Sequence, residues 1–482
     1  MHLVIVGGSD AGISAALRAW ELDPAAEVTV VVADAYPNYS ICGIPYYISG
    51  EVTHSTHLAH RTRADLEATG MRLLLNTRAT AIDVSGHRIA LRGSDGQSSW
   101  LDYDALVVGT GATPVRPPIH GLTGPDALGP EDGVHLLHSM GDTFALTATL
   151  ERLTTGHDPA QGPLRALIIG AGYVGLEMAE GLTARGILVT QVEALPEVLP
   201  TVDAELGALV HAELEHHGVT VHTSTTVTAV HRGAAPFDSR PGQLRVTGVD
   251  AQDRDLAWDA DLVLAVVGVR PDTALLAEAG ARTGPRDAVV VDETMATGLP
   301  DVWAAGDCVV THHRQLGVTY LPLGTTAHKQ GRVAGANAIG QDARFAGSLG
   351  TQVLKVFDLV AARTGLRDHE AIAAGRIPAT IQAAPDDHKA YYPGAHPITI
   401  RVTGDTATGR LLGAQLVGRR GSEIAKRVDT YATALFHGMS VEELSDLDLS
   451  YTPPLGTPWD AVQMVAQAWS RQHRAGRRAL PV

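Results

Sequence analysis

Apolar residues in this chain fall in short unbroken blocks that end on glycine, and two of the blocks share one layout. Leu3-Val4-Ile5-Val6 runs into the small-residue turn Gly7-Gly8-Ser9-Asp10-Ala11-Gly12, followed by a predicted helix from about Ile13 to Leu22 and a β-branched strand from Val28 to Ala33. Ala166-Leu167-Ile168-Ile169 runs into Gly170-Ala171-Gly172-Tyr173-Val174-Gly175, a helix through about Arg185 and a strand from Ile187 to Val192. Continuous rather than alternating apolar strands, each joined to a helix, predict parallel sheets covered on both faces and therefore two βαβ units of Rossmann type. Three more strands end in a sharp turn: Leu106–Val108 into Gly109-Thr110-Gly111, Leu262–Val267 into Gly268, and Val302–Ala305 into Gly306-Asp307-Cys308. Beyond about Thr351 the pattern changes to alternating runs such as Ile398–Val402 and Leu411–Val417, which predict an antiparallel sheet, with amphipathic helices near 422–436 and 441–444. Linkers are predicted around Thr154–Pro163 and Phe345–Thr351.

The second turn is a complete G-x-G-x-x-G of Gly170, Gly172 and Gly175, and Glu193 follows 18 positions later at the end of the next strand. The glycines permit the turn, the approach of a pyrophosphate and close helix packing, and the acid suits a ribose 2′-hydroxyl. A carboxylate there favours NADH and repels the extra phosphate of NADPH. Tyr173, inside the turn, is placed to gate the nicotinamide, and the strand that ends in Gly268 closes this second stretch. The first turn keeps the outer glycines, Gly7 and Gly12, with Ser9 at the middle position; Val32 stands where a ribose acid is expected, and Asp34 follows. We read Gly7, Ser9, Gly12, Asp34, Thr110, Gly111, Gly306 and Asp307 as contacts of a second dinucleotide.

Composition narrows the chemistry. The 482 residues carry 45% hydrophobic and 19% charged residues and a net charge of −16, which fits a globular protein of several domains and argues against nucleic acid as a partner. No apolar run reaches about 18 residues and no signal-like segment precedes the first strand, so a cytoplasmic protein is expected. The basic tail Arg471–Arg478 reads as a solvated terminus. Histidines at 54, 57 and 60 read as solvated surface, and no metal is expected. Only two cysteines are present. Cys42, just before Gly43-Ile44-Pro45, lies where a helix begins, a position that lowers a thiol pKa. Cys308 reads as a small buried hydrophobe. A lone reactive cysteine works through a mixed disulfide, a persulfide or a sulfenic acid on one sulfur.

The run Cys42-Gly43-Ile44-Pro45-Tyr46-Tyr47, Gly306-Asp307-Cys308, Pro322-Leu323-Gly324-Thr325-Thr326-Ala327-His328-Lys329-Gln330-Gly331-Arg332, Tyr391-Tyr392-Pro393-Gly394 and Tyr451-Thr452-Pro453-Pro454 with Trp459-Asp460 resembles the single-cysteine branch of the flavin disulfide reductases. That branch holds coenzyme A disulfide reductases, persulfide reductases and NADH oxidases. The resemblance implies an α/β fold with two Rossmann-like dinucleotide-binding domains and a C-terminal α+β dimerisation domain. It divides the chain into an FAD domain at 1–150 and 273–345, an inserted NAD(P)H domain at 151–272 and a dimerisation domain at 346–482. It implies FAD and NADH (or NADPH) as cofactors, a homodimer, and reduction of a low-molecular-weight disulfide or persulfide at Cys42. Tyr451 and Tyr391, or Tyr392 in its place, would be supplied by the partner subunit to hold and protonate the leaving thiolate. An oxidase that cycles Cys42 through a sulfenic acid and a low-turnover flavin redox sensor are the alternatives. Ile41 before the cysteine and Val32 in the first unit depart from the branch pattern.

Overall fold

The computed structural model describes residues 1–157, 160, 162–233 and 244–473. Parts of the predicted 154–163 linker and of the basic tail, from 474 on, lie outside the described residues. The chain separates into two compact units: Met1–Pro118, Gly129–Gly156 and Ala265–Ser348 form the first; Ile119–Leu128, His157–Leu264 and Leu349–Val482 form the second.

In the first unit a five-stranded sheet runs in the order Val302–Ala304, Ala105–Val108, His2–Val6, Glu27–Val31, Arg72–Leu74, with every neighbouring pair parallel. Its central strands are buried, as their continuous apolar runs require. The helix Asp10–Leu22 starts about three residues before the predicted Ile13, because Ser9 is extended and serves as N-cap directly after the turn. That turn is possible only with glycine. Gly7 has φ +114°, and a Cβ on Gly12 would lie 1.9 Å from the Gly7 carbonyl oxygen.

The helix Gly324–Ala338 packs directly on Asp10–Leu22. A Cβ on Gly331 would lie 2.2 Å from the Ala11 carbonyl, and one on Gly335 2.2 Å from the Ala15 carbonyl. Small residues one turn apart on one helix therefore rest on the backbone of the other. This contact brings Ser14 Oγ to 2.8 Å from His328 Nδ1 and Asp10 Oδ1 to 3.3 Å from His328 Nε2.

In the second unit the strands Thr220–His222, Leu188–Val192, Arg165–Ile169 and Leu262–Ala265 lie side by side, the first three in parallel register. The helix Tyr173–Ala184 follows the glycine turn. A three-stranded antiparallel meander, Thr226–Arg232, Leu244–Val249 and Asp255–Ala260, was not predicted; its strands alternate buried and exposed positions. The C-terminal part is an antiparallel sheet in the order Gln352–Val356, Leu359–Gly365, Leu411–Arg419, Thr399–Asp405, Pro378–Ala383, covered by helices Ile424–Phe436 and Ala461–His473. Both strands read from alternation are present. Among the described residues no helix is long and apolar enough to cross a membrane.

Replacing Gly335 by Val drives a side chain into the Ala15 backbone. We expect a loss of about 1–3 kcal/mol, seen as a lowered thermal midpoint.

Candidate active site and cofactor cradles

Cys42 lies in the single 3-10 turn Ile41–Gly43 that leads into the helix Ile44–Ser49, with Pro45 in its first turn. The residue is exposed, whereas Cys308 is fully buried. The segment before Cys42 is stitched to a second one: Ser40 N–H donates to the Leu58 carbonyl at 2.7 Å, and His60 N–H to the Asn38 carbonyl at 2.9 Å. The Cys308 thiol donates to the Ala305 carbonyl at 3.4 Å and the Val108 carbonyl at 3.7 Å. Burial pushes its pKa up. It has the setting of an inert, satisfied thiol.

The first cradle fits FAD. Ser9 caps its helix without a side-chain bond, so the first-turn amides face the mouth of the turn. Gly111, at φ +73°, has nothing within 4 Å of where its Cβ would stand. Thr110 Oγ1 donates to the Asp272 carbonyl at 2.6 Å, and Asp272 N–H donates to the Gly111 carbonyl at 2.9 Å, which fixes that loop. Gly306 N–H donates to Gln330 Oε1 at 3.0 Å. Burial, and then the charge of Asp10, push the Asp307 carboxyl up to about 6. A carboxyl that titrates there can both donate to and accept from a polyol such as a ribityl chain. Val32 is buried, with its methyl groups against Gly8. Asp34 is exposed at the strand end, with its carboxylate accepting the Tyr36 N–H at 2.8 Å.

The second cradle fits NAD(P)H. A Cβ on Gly175 would lie 2.2 Å from the Gly170 carbonyl, so the turn is tight, while Gly172 faces open space with nothing within 4 Å. Gly268, expected from the sequence to belong with these glycines, lies in the first unit and has φ +109° with nothing within 4 Å of where its Cβ would stand. Glu193 is buried, and its carboxylate accepts the N–H groups of Ala171 at 2.7 Å and Leu195 at 2.9 Å. It thus sits against the glycine turn as well as at the strand end. Burial pushes the Tyr173 phenol up to about 12, against a hydrogen bond with Thr201 and the nearby Arg363 charge.

Tyr391 and Tyr451 come together: burial first, and then a hydrogen bond with the Tyr451 hydroxyl, raise the Tyr391 pKa. Tyr392 turns elsewhere, its ring edge-on to His388 at 5.8 Å between centroids. Tyr391, Tyr451, Leu455 and Trp459 are all exposed.

Sequence reasoning missed the grouping around Asp10. His328, Asp10 and His60 bring ligand-capable atoms within 4.8 Å of one another, and Asp10 raises the His328 pKa chiefly by its hydrogen bond. The three are far apart in sequence and match no spacing motif. His54 and His57 are exposed and stack edge-on at 5.4 Å.

The chain matches the family described as pyridine nucleotide-disulphide oxidoreductase over residues 1–331 and that family's dimerisation domain over residues 351–461. It is 32% identical to an NADH oxidase of Methanocaldococcus jannaschii, over 97% of this chain and 98% of that protein. It is 32% identical to an NAD(P)H coenzyme A polysulfide/persulfide reductase of Pyrococcus horikoshii, over 96% and 97%. The structure of an NAD-dependent persulfide reductase from A. fulgidus matches with a TM-score of 0.88 at 35% identity, covering 99% of this chain and 84% of that one. The chain belongs to the pyridine nucleotide-disulphide oxidoreductases, enzymes that depend on FAD and NAD(P)H.

Two outcomes follow from this geometry. Folding raises Asp307 from 3.8 to about 6, so the folded apoprotein holds this proton more tightly than the unfolded chain. Its stability therefore falls as pH rises between those values and stays lower above them. Asp307→Asn is expected to flatten that slope, raise the apoprotein thermal midpoint at neutral pH and weaken flavin retention. Glu193→Ala is expected to raise KM for NADH by roughly tenfold, the scale of one charge-assisted hydrogen bond, and to bring the NADH and NADPH specificities closer in steady-state kinetics.

Proposed function

We propose that this member of the pyridine nucleotide-disulphide oxidoreductases is an NADH-dependent reductase of a low-molecular-weight disulfide or persulfide, with Cys42 as its single redox-active sulfur. The observation that carries this reading is the contrast between the two thiols: Cys42 is exposed and Cys308 is buried and bonded to carbonyls. No second accessible thiol exists to close an internal disulfide, so the partner sulfur must come from the substrate.

The Cys42 thiolate attacks one sulfur of the substrate R–S–S–R′. The S–S bond breaks, the Cys42–S–S–R mixed disulfide forms and R′S⁻ leaves. Tyr391, protonated at neutral pH as any ordinary phenol is, and its neighbour Tyr451 donate to that leaving thiolate. FAD, when bound, supplies the two-electron relay from NADH to the sulfur. The balance is NADH, one proton and one disulfide giving NAD⁺ and two thiols. For a persulfide the products are one thiol and hydrogen sulfide.

Gly7, Ser9, Gly12, Asp34, Thr110, Gly111, Gly306 and Asp307 would hold the FAD. Gly170, Gly172, Tyr173, Gly175, Glu193 and Gly268 would hold the nicotinamide nucleotide, and the acid at Glu193 supports NADH as the donor. We assign the FAD domain to 1–150 and 273–345, the NAD(P)H domain to 151–272 and the dimerisation domain to 346–482. The match to the family's dimerisation domain and the exposed run Tyr451, Leu455, Trp459 support a homodimer in which Tyr391 and Tyr451 serve the other subunit's Cys42. Two cysteines held as thiols suit a cytoplasmic setting.

The test is anaerobic NADH oxidation by the purified flavoprotein with coenzyme A disulfide or a coenzyme A persulfide, against a control without sulfur substrate. Sustained sulfur-dependent turnover that Cys42→Ser lowers by at least about a thousandfold, with flavin bleaching by NADH retained, is the expected result. Turnover only in air, forming water or peroxide, would reassign the enzyme as an oxidase. A single reduction without turnover on either acceptor would reassign it as a sensor.

A further inference from the structure

Arg427 occupies a position that the proposed chemistry does not use. It lies on the helix Ile424–Phe436 and is 7% exposed, so its charge is buried and must be matched. Its guanidinium reaches three separate stretches of chain. Nη2 donates to the Asp387 carbonyl at 2.7 Å and to Asp460 Oδ2 at 3.0 Å. Nε reaches Asp460 Oδ1 at 3.4 Å, and Nη1 donates to the Ser422 carbonyl. The planar fork of arginine satisfies these partners together, which the single ammonium of lysine cannot.

What Arg427 grips are the bases of the two tyrosine loops. Asp387 closes the loop that carries Tyr391. Its N–H donates to the His396 carbonyl at 2.9 Å, and its buried carboxylate accepts Ser422 Oγ at 2.6 Å and the His396 N–H at 3.1 Å. His388 Nδ1 lies 2.7 Å from the same carboxylate. Burial alone would raise the Asp387 pKa, but the Ser422 hydroxyl and the His396 N–H bring it below the usual carboxylate value, so it stays ionised. Asp460 ends the stretch that carries Tyr451, and its Oδ1 accepts the Val462 N–H at 2.9 Å at the start of the last helix. The two loops also touch directly, through Lys389 N–H donating to the Pro453 carbonyl at 3.3 Å.

We propose that Arg427 is a positioning residue of the sulfur site. Bonded to Asp387 and Asp460, it sets the spacing of the loops 387–396 and 450–460 and so keeps the Tyr391 and Tyr451 hydroxyls within hydrogen-bonding reach of each other. The inference rests on the reading that these hydroxyls protonate the leaving thiolate. Both tyrosines are exposed in the single chain, so little packing holds them, and their placement depends on what anchors the loop bases. Removing the fork frees both loops at once and leaves the nicotinamide half-reaction alone.

The experiment uses the flavin-loaded protein with Arg427→Lys, the milder Ser422→Ala, Tyr451→Phe and the Arg427→Lys/Tyr451→Phe double variant. Hydrogen–deuterium exchange tests the clamp without any substrate. In Arg427→Lys the amides of 387–396 and of 450–456 should exchange at least about tenfold faster together, with 166–175 unchanged; Ser422→Ala should move the first loop in the same direction by a smaller factor. Anaerobic turnover of coenzyme A disulfide tests the consequence. Arg427→Lys should lower kcat/KM about tenfold with the rate of flavin reduction by NADH unchanged, and the double variant should be no slower than Tyr451→Phe alone. Unchanged exchange in both Arg427→Lys and Ser422→Ala, or a double variant whose loss equals the product of the single losses, overturns the clamp. Coupled loop loosening with full activity in Tyr451→Phe leaves the clamp standing and overturns the tyrosine reading instead.

Discussion

The close approach of the backbone at Gly12, Gly331 and Gly335 is the constraint on which the first unit depends. Each of these residues has a carbonyl oxygen where a Cβ would stand, at 1.9 to 2.2 Å. Only hydrogen fits, and because it fits, the strand His2–Val6 can turn at once into its helix and the helix Gly324–Ala338 can settle on that helix's backbone. The turn leaves the start of the helix without a side-chain cap, and the helix pair gathers Asp10, Ser14 and His328 from distant parts of the chain. Asp307 feels the same gathering through the charge of Asp10. The proposed dinucleotide cradle and a polar cluster beside it thus come from one steric requirement.

The two thiols make the complementary point about environment. Cys308 is enclosed after a strand end, bonded to the Ala305 and Val108 carbonyls, and burial keeps its proton on. Cys42 is exposed at the mouth of a helix, on a turn tied by backbone bonds to the segment 58–60. One residue type therefore serves once as core filler and once, in the proposed reaction, as nucleophile. Exposure, and not the presence of sulfur, separates the roles.

In the second unit order is maintained differently. The bases of the tyrosine-bearing loops are bonded to the buried Arg427, through the Asp387 carbonyl and the half-buried Asp460 carboxylate. Such a network is costly to leave half-satisfied. This gives two exposed loops a defined spacing without a hydrophobic core of their own.

Much of this was legible in the chain itself. Unbroken apolar strands meeting glycine turns specify parallel sheets and nucleotide cradles, because only one local geometry accommodates Gly170, Gly172 and Gly175 between a strand and a helix. The runs at 398–402 and 411–417 suggested an antiparallel sheet, and both fall in strands of one. Cys42 was marked by its motif and Cys308 by its strand. Tertiary structure alone decided the rest. The pairing of Tyr451 with Tyr391 while Tyr392 turns to His388, the bonds from Glu193 back to the glycine turn, the union of Ser14 with His328 across 314 positions and the grip of Arg427 on two loops have no period and no spacing. Periodicity reports what one residue does relative to its neighbours along the chain, whereas these contacts arise where packed elements bring unrelated segments together, and a buried charge finds its partner only there.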